Sequence, residues 1–582
     1  MMTPKQFVKL FEKHGSLKAV FRATRIPGKM NCAQPGMPSY EGLRKIYSQA
    51  VAEGLMDALS TGRKTKEHSN LVVKGQLKVK VAPVIEGKVK TKQAAIVESD
   101  FDRRGVARFL FTSAQNNTAL FDKFWDNLLI FRKHLNAQLH VSQFAYVKQG
   151  FGASGDKNAW MRGEKPALVK DFWFDPRIVS YASNELLQVA PGLVWCGDEN
   201  ISPSDALPLS GLQVVTGRSS AIVPHTKIAM ESVASAQDEP TKFLYTTGAV
   251  TMKNYIARKA GKKADFHHCY GALLVEVNKD GDWWCRQINA DSDGTIYDRD
   301  PGNDMCVRVQ DCKITTGHRA AGITWGDSHE EQIDEVVKKV QHSEGGVIDV
   351  LRPFHQFFHD SFDNYRRGHH EIKSGLSRLE RFAQKRECVK TELMNNGTFL
   401  GWASRPWCVN VDVDSNHNRG IGIWLDSADA TLDSVNYVFH SELKAAVGRT
   451  VMETGDRGSP YITAMKLTNP PSLFKKVRFL REDENYIICH DHGGGIECGM
   501  HGDRGANGSR GSIKQFARFG RKANIGHSHS AGICDGIYQA GCSEKMYPAY
   551  VHGPSSWSHS FIVTYPNGKR AIYTIWKGQW HA

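Results

Sequence analysis

The 582-residue chain is 41% hydrophobic and 23% charged, an ordinary globular balance that excludes a mainly disordered or fibrous protein and predicts three to five units at ~100–200 residues each. No stretch reaches the ~18 consecutive apolar residues of a membrane helix, and the start MMTPKQFVKLFEKHG carries no apolar core with a cleavage site, which argues against secretion. The net charge of +14 is uneven: residues 1–100 hold 18 Lys/Arg against 8 Asp/Glu and the remaining 482 hold 57 against 53, so a polyanion partner is expected near the N-terminus, with a merely solubilising surface as the plainer alternative.

In chain order, Thr3-Pro4 predicts a helix start, a capping Thr with Pro at the first helical position. Phe7, Leu10 and Phe11 follow at the 3–4 spacing of one buried face. Gly15-Ser16 breaks and re-caps the run, and Leu17, Val20 and Phe21 predict a second short helix reaching Ile26-Pro27-Gly28. A third is predicted from about Ser39, with Leu43, Ile46, Tyr47, Val51 and Leu55 on its apolar face and Arg44 and Lys45 near its start. Residues 1–62 are thus expected to be a helical, helix-turn-helix-like module that meets DNA through Arg44 and Lys45. A helical cap or oligomerisation domain is the alternative.

Residues 61–68 read as a basic linker, and 71–98 alternate like strands with lysines on a wet face, so 63–104 are expected to form a small basic β-rich unit or linker. Next, 107–112 predict a buried strand, 119–135 a helix and 139–146 a strand, a βαβ pattern opening an α/β middle domain over 105–316. GALLVEVNKDGDWWCRQIN predicts a hairpin turning at Asp280-Gly281. The Asn-rich turn 113–118, His267 and His268 could touch nucleic acid or metal, satisfied structural polar groups being the plainer account. The twelve cysteines are scattered without a CxxC pair, which predicts reduced thiols and a cytoplasmic setting.

The 24 histidines crowd toward the C-terminal half beside Asp, Asn and Gly. Five small motifs follow in order: Gly326-Asp327-Ser328-His329, His359-Asp360-Ser361-Phe362-Asp363-Asn364, Ser415-Asn416-His417, His501-Gly502-Asp503 and Gly526-His527-Ser528-His529. Each is expected where a strand runs into a loop, and an open α/β architecture sets such loops side by side. Two divalent cations ~3.5–4 Å apart can clamp a phosphoester and supply a hydroxide nucleophile. They need a bridging carboxylate, hard oxygen ligands and neutral imidazoles. Glycine before the Asp or His keeps backbone bulk out of a crowded site. Asn416 offers a neutral oxygen, and His417 beside it is free to face substrate. Taken singly these motifs are weak; in this order they predict a metal site.

The ordered set resembles the calcineurin-like metallophosphoesterase superfamily, written D-x-H, G-D-x-x-D, G-N-H, H and G-H-x-H, over roughly residues 317–545. The resemblance implies a two-sheet core across 317–582. It implies one ion held by Asp327, His329, Asp360 and His529, and a second held by Asp360, Asn416, His501 and His527, with Asp360 bridging. It also implies His417 as catalytic histidine, oriented by Asp363. His359 and Ser415 stand where the family has glycine, and His490 and His492 compete with His501 for the fourth motif. Longer phrases, among them SAQNNT, TTGAVT, KAGKKADFHH and HGDRGANGSRGS, are similar to large metallophosphoesterases of tailed bacteriophages, in particular the pre-early DNases related to SbcD-type nucleases.

The expected activity is therefore a manganese-dependent DNase, magnesium or iron being substitutes, that degrades host DNA in the cytoplasm of an infected bacterium. His369-His370 would support the site or touch a phosphate, and Arg504 and Arg510 would grip the DNA backbone; purely structural or surface roles weigh about as much. No GxxxxGK[ST] signature is present, so any ATP-driven partner would be a separate phage-encoded chain. A homo-oligomer is compatible with this reading; membrane association is not expected. The rivals are a phosphatase or phosphodiesterase acting on a nucleotide or phosphoprotein, and a DNA-binding assembly factor with a vestigial metal site.

Overall fold

The computed structural model describes residues 94–97, 99–146, 173–302, 304–362, 388–548 and 551–582, with 6, 9, 25–26, 29–33 and 46 besides. The chain divides into two compact units, Met1–Lys92 and Gln93–Ala582. In the first unit Gln6, Lys9 and Ile46 are helical. The expected second helix does not reach Ile26: Arg25–Ile26 is a strand pairing antiparallel with Lys29–Ala33. The cause is local. Proline disfavours helical backbone in the residue before it, and Pro27 follows Ile26 in the sequence. Arg44, Lys45, the linker at 61–68 and nearly all of the alternating stretch 71–98 lie outside the described residues.

Gln93–Ala582 is a mixed α/β unit. The strand Val106–Gln115 pairs parallel with Gln138–Phe144 through the helix Asp122–Leu135, as the βαβ pattern predicts. That helix buries Phe124, Trp125, Leu128, Phe131 and Leu135, the 3–4 spacing of one apolar face. Gly271–Asn278 and Trp283–Asn289 form the predicted hairpin, with Gly281 at φ 81° in its turn, a conformation glycine adopts without penalty. These strands make a four-stranded sheet.

Two larger sheets position the motifs. In a six-stranded sheet, Val477–Phe479, Val409–Asp412, His355–Phe358 and Gly322–Thr324 run parallel, and Ser560–Thr564 and Arg570–Thr574 close it antiparallel. Helices such as Glu335–His342 and Val389–Ala403 carry the crossovers, as parallel pairing requires. An eleven-stranded sheet joins strands from 95–246 to strands from 487–539, where Gly532–Cys534 pairs with Met230–Val233. The sequence boundary at 316/317 thus falls inside one compact unit. The two sheets meet over a shared core that includes Met230, Tyr245, Ile533, Tyr538, Ile562 and Ile572. There the buried Asn524 donates to Thr324 Oγ1 at 3.1 Å and Thr564 Oγ1 at 3.2 Å, satisfying polar groups that would otherwise be costly inside. Among the described residues no helix is long and apolar enough to cross a membrane.

Candidate metal centre

All five motifs lie beyond strand C-termini. Gly322–Thr324 leads to Asp327, His355–Phe358 to Asp360, Val409–Asp412 to Asn416 and His417, Ile496–Glu497 to His501, and Lys522–Ile525 to His527 and His529. Parallel pairing aligns the first three ends and the last two. The loops continue the alignment, since Ser328 N–H donates to His359 O at 3.0 Å and His329 N–H to Asp360 O at 2.7 Å. Within the larger sheet, Gly526 N–H donates to His501 O at 2.7 Å. Ser415 takes the N-cap of the helix Asn416–Ser427, accepting from Asn418 N–H at 3.2 Å. A serine where the sequence resemblance expects glycine thereby starts the helix that carries His417.

The backbone here is held in unfavourable conformations. His329, Asp360, His527 and His529 have φ of 44°, 42°, 76° and 58°, left-handed values that cost about 1–3 kcal/mol each and persist where the surroundings impose them. Glycine is needed at 526 because a Cβ there would lie 2.3 Å from Asp327 Oδ1.

Asp360 is central. Its Oδ2 lies 3.0 Å from His501 Nε2, 3.9 Å from His329 Nε2 and 4.0 Å from His417 Nε2. Asp327 Oδ2 is 3.2 Å from His529 Nε2, and Oδ1 is 3.9 Å from His501 Nδ1. His329 Nε2 approaches His529 Nε2 to 3.2 Å. The His417 ring stands edge-on to His329 at 4.6 Å, and His527 to His501 at 5.2 Å. Asp327, His329, His359, Asp360, His501 and His529 are buried. Three groups here can each hold a metal ion: Asp327 with His329 and His529, His329 with Asp360 and His417, and Asp360 with His501 and His527. Asp327 Oδ1, Asp360 Oδ1 and Asn416 Oδ1 are buried and accept no hydrogen bond. Buried acceptors rarely go unsatisfied, so these oxygens fit a cation.

The charges point the same way. Burial opposes ionisation of Asp327, yet His501 and His529 outweigh it and hold the carboxyl down at about 2. Asp360 is held well below its ordinary range against burial by His501, His417 and His329. In turn His501 is pushed up to about 9 and His529 to about 10, against burial, by the carboxylates facing them. As it stands the cluster balances its anions with protons on imidazoles, and metal binding exchanges such protons for cations.

His501 is the histidine of the fourth motif that joins the cluster; His490 is exposed, and His492 packs on Gly568. Arg504 and Arg510 are exposed and face one another across a backbone bridge, with the Arg504 guanidinium paired to Glu482. Asp363, His369 and His370 lie outside the described residues.

Two residues escaped sequence reasoning. His359 sets its Nδ1 3.2 Å from His501 Nδ1, and with Asp327 and His501 forms a fourth group able to hold a metal. Burial and His501 depress it to about 4. Its signal was present, a histidine adjoining the central aspartate where glycine was expected. Glu544, fully buried, places Oε1 3.3 Å from His529 Nδ1 and Oε2 4.0 Å from His329 Nε2. No local motif marks it; the bridge pairing Asp327 with Cys542 brings it in.

No family model matches the chain, and no solved structure matches it. A relative does: the chain is 33% identical to Protein A1 of Escherichia phage T5 over 485 residues, 82% of this chain and 83% of that protein. Likeness of that extent across most of both chains assigns membership: the chain belongs to the family of bacteriophage proteins that includes Protein A1 of Escherichia phage T5.

Proposed function

We propose that the protein is a metal-dependent nuclease that hydrolyses DNA phosphodiester bonds and serves to degrade host DNA in the infected cell. The observation that carries this reading is the convergence of buried, unsatisfied oxygens of Asp327, Asp360 and Asn416 with the histidines of five motifs. In this reading one ion is held by Asp327, His329, Asp360 and His529 and the other by Asp360, Asn416, His501 and His527. Two divalent cations, manganese foremost, supply charge against the phosphodiester and lower the pKa of water.

The chain's residues do the rest. Asp360 sits between the two halves of the cluster, which its distances to His501 and His329 support. His417, half-buried and 4.0 Å from Asp360 Oδ2, donates a proton to the departing oxygen, a role suited to imidazole near neutral pH. Asp363 orients it. Glu544 fixes the ring of His529 through Nδ1, leaving Nε2 toward Asp327.

The experiment incubates linear, circular and single-stranded DNA, and a nucleotide monoester, with manganese, magnesium, iron or chelator. Manganese-dependent DNA cleavage, abolished by chelator and by Asp360→Asn, is expected. His417→Ala should lose ~10²–10⁴-fold in rate. Full activity in Asp360→Asn would overturn the site, and cleavage of the monoester alone would turn the reading to a phosphatase.

A further inference from the structure

The helix Lys259–His267 takes no part in the cluster, and its chemistry is unexplained by it. Residues 253–267 hold Lys253, Arg258, Lys259, Lys262 and Lys263 against a single acid, Asp265. All six are exposed. Asp265 lies 3.8 Å from Lys253; among the described residues Arg258, Lys259, Lys262 and Lys263 form no ion pair. Lys259, Lys262, Lys263 and Phe266 fall at i, i+3, i+4 and i+7, one face of the helix. Phe266 is 80% exposed, on a face that carries no other apolar side chain.

The opposite face is pinned. Gly261 and Ala264 are buried, and a Cβ at Gly261 would come within 1.9 Å of the Ile256 carbonyl oxygen. At the far end, His267 Nδ1 lies 3.4 Å from Asp535 Oδ1, and the buried Lys227 pairs with the same carboxylate. Asp535 ends the strand Gly532–Cys534 that follows His529, so a shared sheet carries helix and cluster. A lone exposed phenylalanine gains nothing from water. Flanked by unpaired lysines on a rigid helix, it matches the recurring way of holding single strands, cations along phosphates and an aromatic ring under a base.

We propose that this face is a docking surface for single-stranded DNA, with Lys259, Lys262 and Lys263 on phosphates and Phe266 stacked on a base. It rests on the reading of the substrate as DNA, yet it is tested without hydrolysis. Binding of a fluorescent oligothymidylate and of a duplex is measured on the full chain in chelator across a salt series, with melting curves for each variant. Lys262→Glu with Lys263→Glu should weaken single-strand binding roughly tenfold and flatten the salt slope by about 1.4, since each phosphate contact contributes about 0.7. Phe266→Ala should weaken it ~5-fold or more while leaving the slope intact, and should affect the duplex less. The control reverses Lys444 and Arg449, exposed on the helix Tyr437–Thr454. The proposal is overturned by unchanged affinity and slope in the folded double variant, by an equal effect from the control pair, by indifference to Phe266→Ala, or by absence of DNA binding. Binding without cleavage in manganese would sink the nuclease reading and leave the docking surface standing.

Discussion

Two buried clusters of charge in this molecule use the same kinds of residue to opposite ends. Around Glu276, Arg108 Nε donates to Oε1 at 3.0 Å and Arg286 Nη1 to Oε2 at 2.7 Å. Arg286 also grips Asp298 with two bonds of 2.8 Å, and the hydroxyls of Tyr565 and Tyr573 donate to the same carboxylate. The chain itself answers both carboxylates. Around Asp360, by contrast, carboxylates face imidazoles, both oxygens of Asp327 and one of Asp360 accept no hydrogen bond, and ring nitrogens of different histidines approach to 3.2 Å. Folding does not assemble so strained a set for its own stability. Both carboxylates of the first cluster are answered within the protein; the second cluster can hold a metal ion. The difference lies in satisfaction, since both are buried.

The largest expected effect breaks the second cluster. Asp360→Asn should lose more activity than the ~10²–10³-fold that removal of one electrostatic donor costs, read from the rate of DNA cleavage at saturating manganese. Next, Glu276→Gln breaks the first cluster by leaving Arg108, Arg286 and Arg299 short of a counter-charge. A loss of ~3–5 kcal/mol in a urea titration is expected; an unchanged midpoint would mean the network holds nothing. The same cluster has a pH signature. Burial alone would raise the Glu276 carboxyl, but Arg286, Arg299 and Arg108 hold it well below its ordinary range. Because its folded pKa is depressed, its contribution is present above the unfolded value of ~4.3 and is lost as pH falls below it. In Glu276→Gln that share of the acid sensitivity should vanish. Manganese then sharpens the contrast: at a hundredfold its dissociation constant it should stabilise the wild type by about 2.7 kcal/mol. It should do the same for Glu276→Gln and far less for Asp360→Asn, as read from melting curves.

How far each cluster was legible in the sequence follows from the range of the contacts that build it. Asp327 with His329, Asn416 with His417, and His527 with His529 announce themselves because two functional groups lie within three residues at a strand end. The βαβ run at 106–144 was legible for a like reason, the helix pattern of Phe124, Leu128 and Phe131 being local. What stayed hidden was set at a distance. The eleven-stranded sheet is assembled from strands of two to five residues, too short to carry a period, and its joining of 230–233 to 532–534 has no local trace. Near Ile26 the local signal was present but misweighted, since Pro27 rules against helix there more strongly than the spacing of Val20 and Phe21 argues for it. Glu276 and Arg286 read as ordinary polar positions in a hairpin, because only the sheet's far neighbours reveal that their face is buried.

Glu544 ties these points together and carries the smallest effect. It arrives by long-range pairing, as the Glu276 network does, but its Oε1 faces His529 Nδ1 at 3.3 Å inside the unsatisfied cluster. If its work resembled that of Glu276, Glu544→Gln would chiefly lower stability. If it instead fixes which nitrogen of His529 stays open to a cation, the amide should keep the shape while weakening the bias, since glutamine can present either an acceptor or a donor to the ring. The expected result is a fall in manganese affinity of ~10–100-fold, as for other carboxylates behind metal-binding histidines. The melting curve of the chelated protein should move little, and excess metal should restore much of the cleavage. Calorimetric titration of manganese, run beside chelated melts, separates the two. A loss confined to the melt would move Glu544 from the metal-binding group to the protein's own internal scaffold.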